Sequence, residues 1–177
     1  MTSIDTLRAR NHDFAAQRFD AALRINPSGK LMIIGCVDPR VDPAALLGLE
    51  QGEAAVIRNV GGRVTPATLK TLGMLGKVGQ ANGGGAPGVG WNLVVLHHTD
   101  CGMTDLAAFP DLLAEYFEIS AAELGSKAVS DPYASVKVDT GILERTASLA
   151  FAVSGLVYDV STGRVELVAT AAGQHEA

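Results

Sequence analysis

A chain of 177 residues, 47% apolar and 19% charged, is long enough to bury one core and too apolar for intrinsic disorder. Its formal charge of −5 and isoelectric point near 5.3 argue against nucleic-acid and anionic-membrane partners, which attract basic surfaces. The N-terminal residues carry charges where a secretory leader needs an apolar run, and no apolar stretch is long enough to span a bilayer, so a single cytoplasmic domain over residues 1–177 is expected.

Residues 3–25 read as an amphipathic helix, with Ile4, Leu7, Phe14, Ala15, Phe19 and Ala22 on one face and a stop at Asn26-Pro27-Ser28-Gly29. Residues 1–27 are thus assigned to an N-terminal helical arm. Residues 30–37 (KLMIIGCV) form a continuous apolar run between turn residues, the pattern of a strand covered on both faces. Asp38-Pro39-Arg40 ends it, because Pro39 has no N–H to donate to a ladder. A short helix follows over 43–49, with Pro43 in its first turn, and then a strand over 54–59 (AAVIRN). Thr65 reads as an N-cap before Pro66, opening a helix to about Val78. A glycine-rich loop (79–90) leads to a third buried strand at 92–97 (NLVVLH). Beyond it lies a mostly helical stretch to about residue 150, broken at Pro110, Gly125 and Pro132, and then a hairpin over 155–170 with a Ser-Thr-Gly turn. Strands alternating with helices predict an α/β domain: a mainly parallel central sheet flanked by helices.

The glycine-rich loop is not a dinucleotide fingerprint. Such a fingerprint follows a strand and opens a helix, whereas this loop does the reverse. The chemistry lies elsewhere. Two cysteines in such a chain read by default as buried thiols, and a disulfide is disfavoured in a reducing compartment. Cys36, however, ends the first buried strand, and His98 and Cys101 lie just past the third. In open α/β sheets ligands bind outside the carboxyl ends of strands. If the first and third strands are neighbours, two thiolates and an imidazole converge there, a donor set that suits zinc. Three protein ligands leave a fourth position open, as catalytic zinc sites do.

Cys36-Val-Asp38-Pro-Arg40 resembles the Cys-x-Asp-x-Arg motif of the β-class carbonic anhydrases, and His98-Thr-Asp-Cys101-Gly102 resembles their His-x-x-Cys-Gly motif. Val56-Ile-Arg-Asn-Val-Gly61 is similar to their Arg-Asn-x-Gly stretch, and Gly155-Leu-Val-Tyr-Asp-Val to their terminal strand. The resemblance covers residues from about 30 to 104 and from 155 to 168. It implies one zinc ion per chain on Cys36, His98 and Cys101, with reversible hydration of carbon dioxide to bicarbonate by zinc-bound hydroxide. It also implies catalytic roles for Asp38, which accepts a hydrogen bond from that hydroxide, and Arg40, which holds Asp38 ionised. In a resting form of the family this aspartate is a fourth metal ligand. Dimers built through the N-terminal helix imply a homodimer or higher homo-oligomer.

Relatives with the same site hydrolyse carbonyl sulfide or carbon disulfide, and the His-His-Thr-x-Cys-Gly version of the motif occurs among them, so a small linear substrate of either kind is an alternative. A zinc-binding protein without catalysis is expected to have lost Asp38 or Arg40, and a dithiol redox protein to carry Cys-x-x-Cys. Alternation points His97 away from His98, as a core or interface histidine rather than a proton shuttle. Asp100 reads equally as a partner orienting a ligand or as a solvated carboxylate.

Overall fold

The computed structural model describes residues 1–84, 90–146 and 151–171. Strands β1 (Leu31–Cys36), β2 (Ala54–Asn59), β3 (Asn92–His98), β4 (Ala152–Asp159) and β5 (Arg164–Ala171) form one sheet in the order β2-β1-β3-β4-β5. All neighbours are parallel except the β4–β5 hairpin. The chain passes from β1 to β2 on one side and later to β3 on the other, so strand direction of travel reverses at β1. That is where an open α/β sheet leaves a crevice.

The continuous apolar runs are explained by burial on both faces. Met32, Ile34, Leu93 and Val95 pack with Leu72 of α3 (Pro66–Ala81) and with Val136 and Leu143 of α5 (Pro132–Arg145). Ile33 and Leu96 point the other way, toward Leu46 and Leu47 of α2 (Pro43–Leu47) and toward Val41. Ile33, Ile34, Leu93, Val95 and Leu96 are all 0% exposed, so neither face of the central pair has room for a polar residue without a partner. A third apolar cluster joins Met103 to Leu113 and Phe117 of α4 (Pro110–Phe117), beneath the loop that leaves β3.

Several expectations are corrected. The first helix, α1, spans Ile4–Gln17 and not 3–25. Ser3 caps it through Thr6 N–H, but none of its residues is buried, and beyond Arg18 the Asp20 side chain accepts from Ala22 N–H in a turn. Phe19, in the apolar repeat past Phe14, is left 63% exposed among the described residues, so little offsets the cost of continuing the helix. The helix α3 runs past 78 to Ala81, because Asn82 folds back to donate to the Val78 carbonyl. The glycine-rich segment therefore begins in a helix, and its residues 85–89 lie outside the described residues. The stretch after β3 is less helical than its composition predicts: short 3-10 helices at Asp105–Ala108 and Ala121–Lys127 flank α4, and Gly125 sits inside the latter. Pro110 and Pro132 do not break helices but start them. Residues 147–150 lie outside the described residues. No described helix is long and apolar enough to cross a membrane.

Candidate metal centre

Strand β1 ends at Cys36, and the chain turns sharply because Asp38 organises it. Its carboxylate accepts from Arg40 N–H at 2.8 Å, and its carbonyl accepts from Val41 N–H at 3.0 Å. Val41 is wholly buried and anchors the far end of the turn. Arg58 of β2 staples the turn from beneath. Its guanidinium donates to the carbonyls of Cys36 (2.9 Å), Asp38 (2.7 Å) and Val41 (3.3 Å), so one side chain ties the whole turn.

The second ligand loop leaves β3 at His98. Asp100 takes a left-handed conformation (φ 52°), which bends the chain so that Cys101 faces back toward the sheet. The third wall is the turn Val60–Gly62, where Gly61 and Gly62 have φ of 75° and 65°. A Cβ on Gly62 would lie 2.9 Å from Cys36 N and 3.0 Å from the Leu96 carbonyl oxygen. Only glycine fits this seam between β1 and β3.

These elements bring Cys36, His98 and Cys101 together: Sγ, ring nitrogen and Sγ all lie within 4.8 Å of one another. The two sulfurs are 3.9 Å apart, against about 3.8 Å for two thiolates on one tetrahedral zinc at the usual 2.3 Å bond length. His98 Nδ1 lies 2.9 Å from the Thr99 carbonyl, to which it can only donate, so Nε2 presents a bare lone pair. That Nε2 is buried with no hydrogen-bond partner, which is costly for a structural imidazole and natural for a ligand. Two thiols and an imidazole fit zinc.

The electrostatics agree with that donor set. The Cys101 S–H beside it holds the Cys36 thiol well below its ordinary pKa, with help from His98 and from the Asp38 N–H, despite burial. The same contact, added to burial, pushes Cys101 up, so the pair shares one proton, which a metal cation binding both sulfurs would displace to solvent. Burial lowers the His98 pKa, but the Cys36 sulfur and the Thr99 carbonyl outweigh it and raise the value overall. Proton and metal compete for Nε2.

Asp38 and Arg40 form a bidentate pair, with Nη2 donating to Oδ2 at 2.7 Å and Nε to Oδ1 at 3.1 Å. Arg40 holds the Asp38 carboxyl down to about 2. Asp38 Oδ2 lies 4.0 Å from His98 Nε2, beside the cluster and turned to Arg40. Asp100 does not orient a ligand. Its exposed carboxylate accepts from Arg40 Nη1 at 2.7 Å and its carbonyl from Nη2 at 2.8 Å, so Arg40 ties the two ligand loops together.

His97 faces away from His98 into the core, its Nδ1 2.8 Å from Ser135 Oγ and its Nε2 3.2 Å from the Gly62 carbonyl. A buried ion pair adjoins it, Arg63 Nε donating to Asp139 Oδ2 at 2.7 Å. Sequence reading missed this pair. Arg63 and Asp139 stand 76 positions apart and nothing local to either marks a partner. Arg58 and Gly62 stood in or beside a motif with a family resemblance, without a role of their own. A cavity of 180 Å³ adjoins the cluster, bounded by Gly61, His98, Cys101, Met103 and Tyr133.

A family model described as carbonic anhydrase matches residues 31–117. Beta-carbonic anhydrase 1 of Mycobacterium tuberculosis is 30% identical over 176 residues, covering 95% of this chain and 99% of that protein. Carbon disulfide hydrolase of Saccharolobus solfataricus is 29% identical over 114 residues, covering 64% of this chain and 49% of that protein. Among solved structures, the carbonic anhydrase of Streptococcus mutans matches with a TM-score of 0.70 at 30% identity, over 96% of this chain and 99% of that one.

Proposed function

The chain belongs to the β-carbonic anhydrase family, and from that membership we propose that it hydrates carbon dioxide reversibly to bicarbonate, with one zinc ion held by Cys36, His98 and Cys101. The observation that carries the proposal is the buried, partnerless Nε2 of His98 facing two sulfurs 3.9 Å apart. Zinc in such a site acidifies a water molecule, so that a nucleophile is available near neutral pH.

The chain supplies the rest. Asp38, ionised down to a pH of about 2, can only accept, so it orients the O–H of the attacking oxygen and leaves a lone pair for the substrate carbon. Arg40 supports this role by locking both oxygens of that carboxylate and by keeping it turned from the metal position. The adjacent cavity has room for a small linear molecule that needs no charged recognition. A homodimer or higher homo-oligomer is part of the same proposal, supported by α1, whose Ile4 and Leu7 are 72% and 49% exposed among the described residues. So is a cytoplasmic location, since a reducing compartment keeps two free thiols at this distance available as ligands.

Carbonyl sulfide or carbon disulfide hydrolysis is the second reading, favoured by the similarity to carbon disulfide hydrolase, although that similarity covers less of both chains. Stopped-flow carbon dioxide hydration by zinc-quantified protein, run beside a sulfide-release assay with both sulfur substrates, separates the two. Zinc-dependent hydration that disappears in Cys101→Ala is expected. Negligible hydration with rapid sulfide release reassigns the substrate.

A further inference from the structure

We propose that Arg63 and Asp139 are positioning residues for the metal centre, a buried clamp that sets how far apart the ends of β1 and β3 hold their ligands. The role rests on the assignment of Cys36, His98 and Cys101 as ligands. Asp139, on α5, is wholly buried and gathers several donors on one carboxylate. Its Oδ2 accepts from Arg63 Nε at 2.7 Å and from Val64 N–H at 3.1 Å, and lies 3.3 Å from His97 Nε2; its Oδ1 accepts from Arg63 Nη2 at 3.2 Å. Arg63 Nη2 also donates to the Lys127 carbonyl at 2.7 Å, and its guanidinium lies 4.9 Å over the Phe117 ring.

Each partner of the clamp abuts a ligand. His97 precedes His98 on β3, and its ring is held at both nitrogens, by Ser135 Oγ on one side and by the Gly62 carbonyl and Asp139 on the other. Nε2 faces two oxygen acceptors, so it carries the proton and ties β3 to the glycine turn. Gly62 in turn leaves no room for a Cβ, which would fall 2.9 Å from the Cys36 backbone nitrogen, and a Cβ on Gly61 would fall 2.6 Å from Met103 Cε, two residues past Cys101. A single carboxylate thus fixes the surroundings of all three ligands. Stability alone is a poor reason to retain such a pair, because well-packed apolar residues commonly replace a buried ion pair without loss. Groups one step behind a metal ligand tune affinity because they fix its orientation before the metal arrives.

The decisive variant replaces both members at once, Arg63→Met with Asp139→Leu, so that no unpaired charge is left behind. Circular dichroism and a melting curve establish that it folds. Zinc affinity, measured by chelator competition, is then expected to fall roughly 10- to 100-fold. In cobalt-substituted protein, the visible d–d bands are expected to shift, reporting an altered ligand field. A folded double variant with unchanged zinc affinity and an unchanged cobalt spectrum overturns the positioning role and leaves the ligand assignment standing. If the double variant does not fold, Ser135→Ala tests the same clamp through the other nitrogen of His97, and unchanged affinity and spectrum there overturn it too. Absence of thiolate-to-cobalt charge-transfer absorption in the unaltered protein sinks the ligand assignment itself, and the clamp with it.

Discussion

Gly62 offers a stringent perturbation of the site, because a matched control exists on the same chain. Gly48 caps α2 with φ 65°, and a Cβ there meets nothing within 4 Å. Gly62 has the same φ of 65°, but its Cβ would lie 2.9 Å from Cys36 N, 3.0 Å from Gly35 C and 3.0 Å from the Leu96 carbonyl oxygen. Gly48→Ala therefore carries only the left-handed penalty, about 1–2 kcal/mol. Gly62→Ala adds overpacking against backbone that cannot rotate away, about 1–3 kcal/mol more, for a total of about 2–5 kcal/mol. Against a typical stability of about 5–15 kcal/mol this leaves a folded but weakened domain. Urea denaturation of the zinc-stripped variants isolates the effect from metal linkage, and zinc titration of each then reads the site. Gly62→Ala is expected to lose both stability and zinc affinity, since the seam opens at Cys36, whereas Gly48→Ala keeps wild-type affinity. Equal losses of stability in the two variants, with equal zinc affinity, would refute the argument that Gly62 sits in a sterically closed seam between the ligand strands.

Other consequences follow from the same geometry. Removing zinc with a chelator should lower the melting temperature, since a ligand at about a thousandfold its dissociation constant contributes about 4 kcal/mol; differential scanning fluorimetry with and without chelator checks this. Arg58→Met should cost about 2–3 kcal/mol in urea melts, because it strips charged donors from the carbonyls of Cys36, Asp38 and Val41, and hydration should fall as that turn loosens. Asp38→Asn should cut hydration roughly a hundredfold with zinc still bound. Because Arg40 holds Asp38 at about 2, the wild-type pH–rate profile should show no inflection from this carboxylate near 4, and finding one would contradict the pairing. Burial alone would raise the Asp139 pKa, but His97 and Arg63 bring it below the ordinary carboxylate value. Its stabilisation is therefore complete above a pH of about 3.9 and is lost as pH falls below that toward its folded value. Denaturant midpoints taken at falling pH should drop less steeply in the Arg63→Met, Asp139→Leu double variant than in the unaltered protein.

Much of the fold was legible because its signals are local. An apolar run covered on both faces announces a buried parallel strand without reference to anything distant, and β1, β2 and β3 appear within a residue of their expected bounds. Proline at a first helical turn fixes φ by its own ring, so Pro43 and Pro66 marked helix starts; Pro110 and Pro132, read as breaks, start helices by the same rule. The metal cluster was legible for a different reason: short motifs place Cys36, His98 and Cys101 at strand ends, and strand ends on one edge of a sheet meet. Helix α1 was misjudged in length because an apolar face sustains a helix only where something covers it, and none of its residues is buried among the described ones.

What the tertiary structure decided is the set of contacts between residues far apart. Asp100 became a partner of Arg40 and not of a ligand, since a left-handed turn aims its side chain outward. Gly62 became indispensable only once β1 and β3 were seen to pass beneath it. Arg63 and Asp139 drew no reading from the sequence, since no periodicity or motif joins them. Composition and spacing act along the chain, whereas desolvation acts through space. A charge is forced to find its partner only when folding removes the water from both.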